Sequence, residues 1–133
     1  MSAARLRPIV SVWLPPLALM GLIFLLSAQP NLSSGLGLVD LVGRKLVHAA
    51  EFGLLCFLWW RALRTVVRPR AALGTAIAIA IAYAVTDELH QSVIPTRHGA
   101  PLDVAIDAVG ALLAALIVWR RAAEARRLSL LAR

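Results

Sequence analysis

Lys45, His48 and Glu51 stand three residues apart, and Asp87 precedes His90 by three and Gln91 by four. On a helix such spacings gather each set along one face, and Asp103 and Asp107, four apart, form a third set. Glu88 lies beside the second set, and Arg97 follows it in a short segment between Pro95 and Gly99. These residue types support three kinds of chemistry. Lysine and arginine hold phosphate or carboxylate. An imidazole oriented by a carboxylate moves protons, which makes His90 or His48 a candidate acid/base with Asp87 orienting it. Histidines with carboxylates also suit zinc or magnesium. The ligands would come from separate segments, so their spacing is not diagnostic; no metal is assigned and the cofactor is left open.

The segments that must position these residues are apolar. Of 133 residues 60% are hydrophobic and the mean hydropathy is +0.79, against roughly 45–50% apolar content in an ordinary soluble domain. Polar surface segments are too few for a water-facing coat, so the apolar residues must face lipid. Four runs, at about 9–28, 45–64, 71–91 and 101–121, are each near the ~20 residues that cross a bilayer core of about 30 Å as a helix. The first follows Arg5 and Arg7 and ends at Ser27-Ala28-Gln29, which superficially resembles a signal peptide with its cleavage site. It is too long for such a segment and is read as a retained span, with a kink expected at Pro15-Pro16. In the third run Ala and Ile alternate from Ala76 to Ala82, but an uninterrupted apolar stretch of this length excludes a strand. Pro101 opens the fourth at a favoured first helical position. The expectation is an all-α, four-helix membrane bundle forming one domain over residues 1–133. Cys56 is the single cysteine, which excludes an intramolecular disulfide and suits a small buried apolar role.

Alternate connections fall on opposite sides of the membrane. One side then holds Arg5, Arg7, Arg61, Arg64, Arg68, Arg70, Arg120, Arg121, Arg126, Arg127 and Arg133 with Glu124 as its one acid. The other holds Arg44, Lys45 and Arg97 against Asp40, Glu51, Asp87, Glu88, Asp103 and Asp107. Short arginine-rich connections stay in the cytoplasm, which predicts both termini inside and a multi-pass protein of the bacterial inner membrane. The net charge of +7 then calls for anionic lipid headgroups as partners and not nucleic acid.

Counted by helical rise from the acidic side, Glu51 lies about 9 Å below Lys45, Asp87 about 6 Å below Gln91 and Asp107 about 9 Å below Pro101. Three carboxylates from three helices share one depth. A central acid costs about 2.5–3.5 kcal/mol on insertion scales, so such a group must pair, touch water or bind something. Some members also have local explanations. Asp103 suits the first turn of a helix, Arg44 and Lys45 suit snorkelling anchors, Ser27 and Gln29 suit the end of the first helix, and Gly110 suits close helix packing.

Taken together, Ser27-Ala28-Gln29, Lys45-x-x-His48-x-x-Glu51-Phe52, Asp87-Glu88-x-His90-Gln91, Arg97 and Asp103-x-x-x-Asp107-x-x-Gly110 resemble the VanZ-like membrane protein family over nearly the whole chain, from Leu14 to Trp119. Many members have Asn at the position of Asp107. The family takes its name from an association with teicoplanin-type glycopeptide resistance, so the resemblance implies a role in the cell envelope or in antibiotic resistance without defining an activity. Lys45, His48, Glu51, Asp87, Glu88, His90, Gln91, Arg97, Asp103 and Asp107 are the expected binding residues. Two functions follow as expectations. In one, a polar pocket at the outer membrane face binds an amphiphile, such as a lipid-linked cell-wall intermediate or the acyl tail of a lipoglycopeptide, with Lys45 and Arg97 on its anionic groups. In the other, a small intramembrane hydrolase or transferase acts on a lipid-linked phosphate. Transport is disfavoured, because four short helices polar at one end offer no path across.

Overall fold

The computed structural model describes residues 3–29, 37–94 and 100–132, with side chains of the first helix from Val10 onward. Four helices and no strand occur among them: α1 (Ala3–Ser27), α2 (Leu38–Leu63), α3 (Pro69–Ser92) and α4 (Pro101–Leu131). All four are long and apolar enough to cross a membrane. Leucines that would be core residues in water lie at the surface, Leu14 at 56%, Leu25 at 62% and Leu113 at 56% exposure, which is the arrangement lipid stabilises.

Several boundaries differ from the sequence expectation. The second helix begins at Leu38, well before Lys45, because the apolar Leu38-Val39 and Leu41-Val42 pairs carry the helix outward. Asp40 in its first turn sits 3.9 Å from Arg44, an i,i+4 pair that supports the extension. The fourth helix continues ten residues past Arg121 to Leu131 through good helix formers, Ala, Arg, Glu and Leu. Pro15 and Pro16 lie inside α1 without ending it, and Pro16 is fully buried. Pro15 has no N–H for the carbonyl of Ser11, one turn back, and Arg61 Nη2 of α2 donates to that oxygen at 3.4 Å. A proline that would weaken an isolated helix thereby becomes a docking point between α1 and α2.

Packing depends on small residues. The buried face of α3 is Ala72, Ala76, Ala80 and Ala84, every fourth residue and each fully buried. The alternation of Ala and Ile in the sequence thus places part of the Ala set inward at helical period. On α4, Gly110, Ala111 and Ala115 are buried. A methyl group placed on Gly110 would lie 1.9 Å from the backbone oxygen of Ala49, and one on Gly53 would lie 3.0 Å from the oxygen of Gly110. The α2 and α4 backbones therefore nearly touch, as small residues permit in lipid, where apolar burial alone drives no association. Residue numbers rise together along this contact, so α2 and α4 run parallel.

The helices α2 and α3 form a shared spine that each of the other two packs against, whereas α1 and α4 have no residues within 8 Å of one another by Cα among the described residues. Phe52, Leu55 and Ile23 fill the wedge with α1; Cys56, Ala76, Ala80 and Ala111 fill the wedge with α4. Trp59 packs edge-on to Trp13 with ring centroids 6.2 Å apart, whereas Trp60 lies beneath the Arg64 guanidinium at the helix end.

Candidate functional site

The alanine stripe of α3 becomes polar in its last turns. Ala84 is followed on the same face by Asp87 and Glu88, at 3% and 7% exposure, so the surface that packs α3 into the bundle also carries two acids into it. Asp87 faces α1. Its Oδ2 accepts from Ser27 Oγ at 3.0 Å and from Gln91 Nε2 at 2.8 Å, and Gln91 Nε2 also reaches Ser27 Oγ at 3.4 Å. Four residues earlier, the Tyr83 hydroxyl donates to the Met20 carbonyl at 2.6 Å and fixes the α1–α3 register from which Ser27 reaches Asp87.

Glu88 faces the start of α4, where its Oε1 accepts from the backbone N–H of Ala100. That N–H precedes Pro101 and has no intrahelical acceptor, so the acid acts as an N-terminal cap supplied by another helix. Lys45 of α2 pairs with Asp103 in the first turn of α4. One turn deeper, His48 Nδ1 lies 3.7 Å from Asp107 Oδ2, beyond hydrogen-bond length but within ion-pair reach when the imidazole is protonated. Asp107 is 1% exposed. Glu51 lies a further turn along α2, within electrostatic reach of His48, Asp107 and Asp87.

His90 is not held by Asp87. Its ring stacks on Phe24 of α1 with centroids 4.2 Å apart and planes at 27°. The sequence expectation that Asp87 would orient His90 follows from their one-turn spacing, but Gln91 and Ser27 take the one oxygen of Asp87 that has partners. Three buried polar atoms at this end have no hydrogen-bond partner among the described residues: Asp87 Oδ1, Asp107 Oδ1 and His90 Nε2.

Of the expected site residues, Lys45, His48, Glu51, Asp87, Glu88, His90, Gln91, Asp103 and Asp107 therefore lie at one end of the bundle; each is paired or in electrostatic reach of another except His90, for which the Phe24 ring is the partner found among the described residues. Arg97 lies outside the described residues. Ser27, Phe24 and Tyr83 join the group without having been singled out for it. Ser27 read as a helix end, and only its place in the motif shared with the remote acids signals more; Gln29 does fold back to the Leu25 carbonyl, at 3.4 Å. Tyr83 is signalled by its position one turn before Asp87 on the same face. Among the described residues no set of three or more His, Cys, Asp or Glu side chains is arranged to hold a metal ion.

The VanZ/LLP1 family model matches residues 11–123, which takes in α2 and α3, most of α1 and α4, and every residue of the polar end. The chain belongs to the VanZ/LLP1 family. With its four apolar helices it is a multi-pass membrane protein of the VanZ type. No curated protein and no solved structure matches the chain.

Proposed function

We propose that this VanZ/LLP1 member binds, at its acidic end, the headgroup of an amphiphile of the cell envelope, either a lipid-linked cell-wall intermediate or a lipoglycopeptide, and that it acts there in envelope function or glycopeptide resistance. The observation that carries the reading is the set of buried atoms without partners. Among the described residues Asp87 and Asp107 each have at most one oxygen engaged and one without a hydrogen-bond partner, and an unsatisfied buried acceptor costs of order 1–3 kcal/mol. Hydroxyl, amide or ammonium donors of a headgroup would satisfy both. Such donors are abundant on sugars and peptides carried by lipid. Lys45 and Arg97 would meet the anionic groups of the same ligand, Lys45 sharing its charge with Asp103. Binding is favoured over turnover because the carboxylate expected to orient His90 is engaged with Ser27 and Gln91 instead. With the arginine-rich connections inside, this end faces the periplasmic or outer side of the cytoplasmic membrane, where both ligand classes are found.

The test is equilibrium binding by the full chain in nanodiscs, with a lipid-linked cell-wall intermediate and teicoplanin as probes. Wild-type protein is expected to bind one of them, and Asp87→Asn, His90→Ala and Arg97→Ala are each expected to weaken it about tenfold or more. Absence of binding to both probes, or binding that all three variants leave intact, would overturn the proposal.

A further inference from the structure

From the Gly53–Gly110 contact toward the opposite end of the bundle, the outer surface shared by α2 and α4 carries an open groove of about 650 Å³. That volume falls within the ~300–1,000 Å³ range of ligand clefts. One wall follows the α2 face Gly53, Phe57, Trp60 and Arg64; the other follows the α4 face Ala114, Ile117, Val118 and Arg121. The spacings of three, four and seven keep each series on a single face. Because the helices run parallel, both series pass from small apolar residues at mid-bilayer to an arginine at the same end. From Gly53 to Arg64 the wall is about 16 Å long, close to the depth of one leaflet's hydrocarbon.

The two arginines are available for an anion. Neither forms an ion pair among the described residues, and no acid lines the groove. The Arg64 guanidinium lies 4.7 Å from the centre of the Trp60 ring. Stacked there, a guanidinium is fixed by its face while its in-plane N–H donors stay free for the fork geometry that matches phosphate. We propose that this groove binds one anionic phospholipid of the leaflet at the arginine-rich end, an acyl chain lying between α2 and α4 and the phosphate held by Arg64 and Arg121. A second copy of the chain is the less suitable occupant. Two-fold pairing through this face would bring the same arginines of both copies together with no acid between them.

The test is native mass spectrometry of the full chain, delipidated and then titrated with dioleoyl phosphatidylglycerol or dioleoyl phosphatidylcholine, lipids with the same chains. The expected result is one tightly retained phosphatidylglycerol and at least tenfold weaker retention of phosphatidylcholine. Arg64→Gln/Arg121→Gln is expected to reduce phosphatidylglycerol retention about tenfold, and Arg120→Gln/Arg126→Gln, which removes equal charge at the same end but off the groove, is expected to leave it unchanged. Equal retention of the two lipids by wild-type protein overturns the proposal without recourse to any variant. So does an equal loss in both double variants, which would mark diffuse surface attraction, or a dimer crosslinked through Leu54→Cys in a Cys56→Ser background. None of these outcomes bears on headgroup binding at the acidic end.

Discussion

Ser27 and Asp87, sixty residues apart, are joined by a 3.0 Å hydrogen bond that couples the last residue of α1 to a buried acid of α3. In lipid such bonds average about 0.6 kcal/mol and reach about 1.7. Ser27→Ala and Asp87→Asn, combined in a double-mutant cycle followed by thermal unfolding in detergent, should show a coupling of about 1 kcal/mol. Additive effects would mean that the two side chains do not meet in the membrane.

The two ion pairs between α2 and α4 should differ in strength according to depth. The Lys45 and Asp103 side chains are 31% and 35% exposed, so Lys45→Met should cost about 0–1 kcal/mol. Asp107 is almost wholly enclosed, and His48→Ala would leave both of its oxygens without a partner among the described residues, at a cost of order 3–5 kcal/mol. Adding Asp107→Asn to His48→Ala should restore part of that loss by removing the stranded charge. Equal costs for Lys45→Met and His48→Ala would contradict the depth assigned to Asp107.

Gly110→Ala places a methyl group against the backbone oxygen of Ala49, which cannot swing away as a side chain could. A destabilisation of about 1–3 kcal/mol is expected by thermal unfolding, from overpacking of the α2–α4 contact. Gly43→Ala and Gly74→Ala, which meet nothing within 4 Å, serve as controls and should be neutral or slightly stabilising.

The arginine distribution predicts which end faces the cytoplasm. In a Cys56→Ser background, Val93→Cys at the acidic end should react with an impermeant thiol reagent in cells whose inner membrane is intact. Val66→Cys at the arginine-rich end should react only after permeabilisation. Both positions are exposed, so access to the reagent is not limited by packing. The reverse pattern would invert the topology.

The spans were legible because a bilayer fixes their length and because any charges in a run are confined to its ends, leaving an apolar middle. The acidic end was legible because charge at that depth demands a reason. Partner choice across helices was not legible. Sequence spacing reports neighbours on one helix, so it suggested Asp87 with His90 and Gln91; the Gln91 contact forms, whereas the rotation of α3 against α1 presents the Asp87 carboxylate to Ser27 and the His90 ring to Phe24. Nothing in the spacing of Lys45 and Asp103 marks them as a pair. Their meeting follows from the parallel approach of α2 and α4, which Gly110 permits. The outward extension of α2 to Leu38 was hidden by the charges at Asp40, Arg44 and Lys45, which suggest an interface yet continue the helix.

Among the described residues, three carboxylates pair with a side chain on another helix, and each lies later in the chain than its partner: Asp87 after Ser27, Asp103 after Lys45 and Asp107 after His48. During synthesis the N-terminal spans enter the membrane first. The hydroxyl, ammonium and imidazole are therefore already in place when the acids of α3 and α4, expensive to insert alone, arrive. Moving α4 ahead of α2 by circular permutation would keep every contact of the finished bundle while reversing that order, and would deliver Asp103 and Asp107 into lipid before any base could receive them.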